Sequence, residues 1–100
     1  MVLVLDSQHR VIGRPVLAHI GTMDNVEAHP RDIFREAIRR NAKGLIVGHN
    51  HPSGELAPST QDKDLAVRID NGGKLLGIQV LDHIVVGRRG HRSMSAGEWS

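Results

Sequence analysis

The sequence predicts an α+β or three-layer α/β domain, a small mixed sheet carrying two main helices. Three observations predict it. Apolar runs of strand length stand near both ends and in the middle of the chain, at residues 2–5, 45–47 and 78–86. Two segments between them, opening at Pro30 and at Ser59, switch to helical period. A chain of 100 residues with 39% apolar content fills one small core and leaves little room for a second, so one domain over residues 1–100 is expected.

Each element follows from its residues. Val2, Leu3, Val4 and Leu5 form an unbroken apolar run suited to a strand buried on both faces. Asp6-Ser7-Gln8-His9 has the composition of a turn. Extended structure resumes at Arg10-Val11-Ile12-Gly13, Pro15 interrupts it, and residues 16–20 read as a further strand, so the first third is a meander. Pro30 suits the first position of a helix, with Asp32 complementing the dipole in its first turn. Ile33, Phe34, Ala37 and Ile38 share one face of it, and Glu36 pairs with Arg40 outside that face. Lys43-Gly44 is the expected close.

Leu45, Ile46 and Val47 then run as a buried strand ending at Gly48-His49, and loop follows as far as Pro58. Ser59 opens the second helix with Asp62 three residues on, in the style of a capping box, and Asn71-Gly72-Gly73 is the expected end. Ile78 to Val86 reads as two strands, or one bent around Asp82-His83; the polar remainder frays or forms a weak edge.

Composition excludes several classes of function. The absence of Cys removes disulfides, zinc ribbons and thiol catalysis together. Every apolar run falls far short of the ~20 residues that span a bilayer. The first six residues, Met1-Val2-Leu3-Val4-Leu5-Asp6, lack the basic flank of a signal peptide, so a cytoplasmic domain without a membrane partner is expected. Thirteen Lys and Arg against eleven Asp and Glu give only +2. Arg39-Arg40 and Arg88-Arg89 with Arg92 are local basic clusters, read as solvated surface charge with phosphate contact as the alternative. Phe34 and Trp99 are the only Phe, Trp or Tyr residues, too few for a base-stacking platform.

The chemistry lies in Gly48-His49-Asn50-His51-Pro52-Ser53-Gly54 and the following Pro58-Ser59-Thr60-Gln61-Asp62. His49 and His51 stand two apart at a strand end, and alternation sends both imidazoles to one side, where they suit a divalent metal. The plainer alternative is a pair of surface histidines bonded to the loop. At 100° per residue, Asp62, Leu65, Ala66 and Ile69 fall on one helical stripe, which turns Asp62 inward. An inward carboxylate is costly without a positive partner, and a metal on the histidines would supply one. As a first-turn acid, Asp62 also has a capping reading. Two imidazoles and a carboxylate with a position left for water make a catalytic zinc set, although mononuclear Fe(II) sites use the same donors.

The pattern His49-x-His51, seven residues, Ser59, two residues, Asp62 resembles the JAMM motif of the MPN-domain metallopeptidases. The surrounding text is most similar to the bacterial RadC branch: Leu5-Asp6-Ser7-Gln8, Gly21-Thr22, His29-Pro30-Arg31, the His-Asn-His-Pro-Ser-Gly run and Leu81-Asp82-His83. The likeness covers residues 2–87, most of the chain. It implies an MPN or cytidine-deaminase-like architecture, with His49, His51 and Asp62 as Zn2+ ligands and Ser59 as the catalytic donor to the water or the developing oxyanion.

The same resemblance places the family's general-base Glu near the start of the first strand; that place falls before Met1, so the N-terminus reads as truncated relative to the family. Among the acids present, Glu27 and Glu55 lie in loops, Glu36 is committed to Arg40, and Glu98 is near the tail; Glu55, between the ligands, is the nearest substitute in sequence. His83 reads as a packed structural histidine, and His9, His19, His29 and His91 as surface or turn residues.

The leading expectation is a zinc-dependent hydrolase of peptide or isopeptide bonds. The alternatives are a catalytically impaired metal-binding module and a DNA-repair accessory domain, a label that RadC-like proteins have traditionally carried.

Overall fold

The computed structural model describes residues 1–16, 30–50, 60–88 and 90–94, the side chains of Gln61, Asp62 and Met94 apart. Strands β1 (Val2–Leu5), β2 (Gly44–Asn50), β3 (Gln79–Gly87) and β4 (Gly90–Met94) alternate with helices α1 (Pro30–Arg39), before β2, and α2 (Thr60–Leu76), before β3. The sheet order is β1-β2-β3-β4. β1 and β4 run antiparallel to their neighbours, while β2 and β3 are parallel and α2 makes the crossover that parallel pairing requires. This is the α+β fold, a small mixed sheet with two helices.

β1 forms because its apolar run can be covered on both edges. Val2 pairs with Val47 and Val4 with Leu45 on the β2 side. On the other side Val2 exchanges both backbone hydrogen bonds with Val16 at 2.8 Å, and Ile12 donates to the Val4 carbonyl at 2.7 Å. The expected meander is therefore one strand and a return arm joined to it by isolated bridges; the expected strand at residues 16–20 falls almost wholly outside the described residues. The connecting turn is built on Asp6, whose carboxylate accepts the N–H groups of Gln8 (2.8 Å) and Arg10 (2.9 Å). Hydrogen bonding from Arg10 is the main influence holding that carboxyl below its ordinary pKa.

α1 begins at Pro30 as expected, and it buries Ile33, Phe34 and Ala37. Ile38, expected on the same face, is 57% exposed: it lies at the margin of a stripe that only three residues fill. The helix also ends at Arg39, four residues before Lys43. Asn41 takes φ 55°, and the Ala42 N–H reaches back to the Ala37 carbonyl at 2.9 Å, the six-to-one bond of a Schellman close with Asn in the left-handed position. Lys43 and Gly44 then belong to the approach and first residue of β2.

α2 likewise runs past the expected stop at Asn71-Gly72-Gly73 to Leu76. Gly77, at φ 75°, is the true close, with the Ile78 N–H on the Gly73 carbonyl at 2.8 Å. The two internal glycines are contact positions. A Cβ on Gly72 would meet the Phe34 ring of α1 at 2.7 Å, and one on Gly73 would meet the Ile78 carbonyl oxygen. Their low helix propensity is overridden by a tertiary approach that no larger residue permits.

Val2, Val4, Ile33, Phe34, Ala37, Leu45, Val47 and Ile69 share one apolar cluster, so both helices pack against the face that β1 and β2 present together. Each of these side chains larger than Ala contributes about 1.5–3 kcal/mol on removal from water, before the entropy cost of ordering it. A smaller cluster of Ala66 and Val85 lies towards the other end of α2.

β3 is a single strand with an irregularity where the sequence suggested a bend. Leu45 pairs with Val80, but Ile46 pairs with Asp82, leaving Leu81 as an extra residue. That extra residue sets the alternation downstream, and His83 and Val85 become the buried members. β4 closes the sheet with the exposed polar residues His91, Arg92 and Ser93, a composition that discourages further pairing at an edge.

Candidate metal centre

The C-terminal end of β2 carries the first of the expected ligands. His49 is its penultimate residue, stands on the same face as Leu45 and Val47, and is only 3% exposed. The described strand stops at Asn50. His51 and Ser59 lie outside the described residues, as do Glu27, Glu55 and Glu98 among the alternative acids.

Asp62 is in the first turn of α2. Its side chain is outside the description, but its place along the helix is informative. Four residues on, Ala66 packs with Val85, and Val85 is the register partner of His49. Ile69, one turn further, joins the main core, and Gly73 meets Ile78 at the opposite end of the sheet. The stripe Leu65, Ala66 and Ile69 thus faces the sheet as expected, with Ala66 and Ile69 fully buried. Passing back along that stripe from Ile69 through Ala66 to position 62 moves towards the His49 end of β2. This is the run of a crossover helix, antiparallel to the strands it joins.

His49 has a buried neighbour in His83, the residue that reads from the sequence as a packed structural histidine. His83 is 0% exposed, and its ring centroid lies 6.1 Å from that of His49, with the planes tilted by 36°. Burial pushes its pKa down from 6.5 to about 4; the nearby His49 pushes in the same direction, while Asp82 and Asp70 oppose it. His83 is therefore neutral near pH 7. Asp82 accepts the Ser93 hydroxyl at 2.7 Å, and Asp70 is paired with Lys74 at 3.1 Å. The sequence signal for His83 was the Leu-Asp-His run, whose parity could be read only with the extra residue at Leu81 in view.

Glu36 is committed elsewhere, as expected: Arg40 Nε lies 3.1 Å from its carboxylate and Arg39 Nη1 at 3.5 Å. Among the described residues no three His, Cys, Asp or Glu side chains form a metal-holding group. Of the expected donor set the description contains the His49 side chain and the Asp62 backbone. The set itself, two imidazoles and one carboxylate, has the chemistry of an open zinc site, and a buried imidazole at a strand end suits it. No helix among the described residues is long and apolar enough to cross a membrane.

The chain matches the profile of the RadC-like JAB domain over residues 1–99. It is 50% identical over 93 residues to a UPF0758 protein of Thermosynechococcus vestitus, covering 93% of this chain and 37% of that protein. It is 48% identical over 92 residues to a UPF0758 protein of Thermotoga maritima, covering 92% of this chain and 41% of the relative. The chain therefore spans about two-fifths of the length of these curated relatives. A match over nearly every residue, together with the mixed sheet and the placement of His49, assigns the chain to the family of RadC-like JAB domains.

Proposed function

We propose that the chain is a zinc-dependent hydrolase domain of the JAMM/MPN type, a single domain acting in the cytoplasm on peptide or isopeptide carbonyls. His49, His51 and Asp62 hold the zinc, and Ser59 is the catalytic donor. The observation that supports this reading is that His49 is buried at the end of β2 and that the buried stripe of α2, through Ala66 packed on Val85, runs back towards that end.

Zinc bound there supplies Lewis acidity, acidifying water and polarising a carbonyl. The rest falls to side chains. His49 is secluded from bulk water and anchored in a strand that pairs on both edges, so its ring is presented from a rigid support. The Ser59 hydroxyl donates a hydrogen bond to the substrate oxygen as negative charge develops on it. Asp62 brings the negative charge that balances the cation.

The pairing of β1 with β2 supports the expected position of the general base. Val2 is level with Val47, and the Gly48 N–H donates to the Met1 carbonyl at 2.7 Å. Chain continuing β1 ahead of Met1 would come level with His49, and the resemblance puts its Glu near the start of that strand, ahead of Met1. A longer chain carrying that Glu therefore cleaves faster than the 100-residue chain, by the roughly 10²- to 10⁴-fold of a positioned base.

The test is hydrolysis of a panel of peptides and isopeptides by the zinc-loaded longer chain. Cleavage abolished by chelator and reduced by Ser59→Ala is expected. A longer chain that holds zinc and cleaves nothing in the panel supports a metal-binding module instead.

A further inference from the structure

We infer that His83 is a positioning residue for His49: its buried ring is the wall that fixes the orientation in which His49 meets a metal. The inference rests on the proposed function in taking His49 as a ligand. It goes beyond that reading by adding a residue from β3 to the support of the site.

Three features of the fold lead to it. His83 and His49 stand on adjacent parallel strands, with Val47 opposite His83 and Val85 opposite His49, so the two imidazoles are diagonal neighbours on one face of the sheet. Their centroid distance of 6.1 Å and tilt of 36° lie within the range of packed ring pairs. His83 is the more deeply set of the two, 0% exposed against 3%, on the core side of His49.

The neighbours of His83 on the sheet, Val47 across the β2–β3 pairing and Val85 two residues on along β3, are fully buried. The irregularity at Leu81 adds to this, since it is what sets His83 on the buried face beside His49. β-Bulges of this kind commonly re-aim a side chain beside a functional site.

A ligating imidazole must hold one nitrogen in a fixed direction. Its ring torsion is otherwise broad and roughly two-fold. A neighbouring ring, fully buried on β3 beside β2, narrows that freedom before any metal arrives. Loss of such support typically costs about 10-fold to 100-fold in metal affinity.

Cobalt(II) titration of the 100-residue chain, followed by its visible d–d bands and by calorimetry, provides the test. In His83→Leu, Co2+ affinity is expected to fall about 10-fold or more with altered bands. The metal-free melting temperature, measured in parallel, shows that the variant is folded when its affinity is read. His83→Phe, which keeps a ring, should retain bands close to the original. A purely structural His83 would move the melting temperature and leave affinity and bands alone.

If His83→Leu does not fold, His83→Gln, which also lacks a ring, is read in the same way. Unchanged affinity and bands in the ringless variant overturn the inference and leave the proposed function standing. Equal weakening in the Leu and Phe variants also overturns it, by assigning the effect to the ring nitrogens. An unmodified chain that takes up no Co2+, or a His49→Ala variant that binds it equally well, overturns the reading of His49 as a ligand and this inference with it.

Discussion

The Ile78 N–H donates to the Gly73 carbonyl at 2.8 Å, while the Ile78 carbonyl oxygen occupies the space a Cβ on Gly73 would need. One residue pair thus both closes α2 and delivers the chain into β3, and it does so at the end of the sheet remote from His49. The fold and the site are consequently separable by mutation.

Gly73→Ala should destabilise the domain by about 2 kcal/mol or more. The gain of roughly 1 kcal/mol in helix propensity is outweighed by a clash with backbone that can relieve it only by moving β3. Gly77→Ala meets no neighbour within 4 Å and should cost about 1 kcal/mol through its positive φ alone. Urea midpoints of the two variants check the ordering; equal effects would mean that the close approach at Gly73 is not made.

Arg40 ties α1 to the return arm of β1. Its Nη1 donates to the carbonyls of Ile12 (3.1 Å) and Arg14 (2.6 Å), and its Nε to Glu36 (3.1 Å). Arg40→Ala should lose about 1–3 kcal/mol, because charge-assisted bonds to the return arm of β1 go with it. Arg39→Ala removes only an exposed ion pair with Glu36 and should change stability by less than about 0.5 kcal/mol. Arg40→Lys should recover little of the loss, since a point charge cannot replace the guanidinium fork. Thermal melts of the three variants make the comparison.

The metal-free domain should lose stability as pH falls from about 6.5 to about 4, through His83. Its pKa in the fold, about 4, lies below the ordinary 6.5, so across that window the unfolded chain binds the proton and the folded one does not. Above pH 6.5 both states are neutral and the effect vanishes; below about 4 both are charged and it levels off. The loss attributable to His83 amounts to about 3 kcal/mol at most. Urea unfolding of the unmodified chain and His83→Leu at pH 7.5 and pH 4.5 isolates it, the variant showing the shallower decline. Parallel declines would contradict the burial of a neutral imidazole at this position.

How far the sequence could be read depended on the range of the interactions involved. Local chemistry was legible: Pro30 at the start of α1, the Asp6 turn, the Glu36–Arg40 pair and the buried members Ala66 and Ile69 of α2 all depend on neighbours a few residues away. The helix ends are not legible from glycine alone. Gly72 and Gly73 serve contacts with Phe34 and Ile78, the second reaching across the helix end and the first far outside any local window, whereas Asn41 adopts the left-handed conformation that Gly44 was expected to provide. Ile38 was placed in the core by period alone, and the width of a buried stripe is set by the partner surface.

The candidate site divides in the same way. The spacing of His49, His51, Ser59 and Asp62 was visible as a motif, and the structure adds that β2 buries His49 and that α2 runs towards it. The nearness of His83 to His49 was not visible. It arises from parallel pairing across the crossover at residues 51–78 and from a one-residue shift at Leu81, neither of which has a local signature.

The central claim, that His49 acts with His51 and Asp62 to hold one zinc, is tested most directly by the metal content of the purified chain prepared without chelator. Elemental analysis should give about one zinc per chain, falling to near zero in His49→Ala and in Asp62→Ala, while the exposed His91→Ala keeps the full complement. Zinc absent from the unmodified chain, or retained undiminished by His49→Ala, would contradict the account.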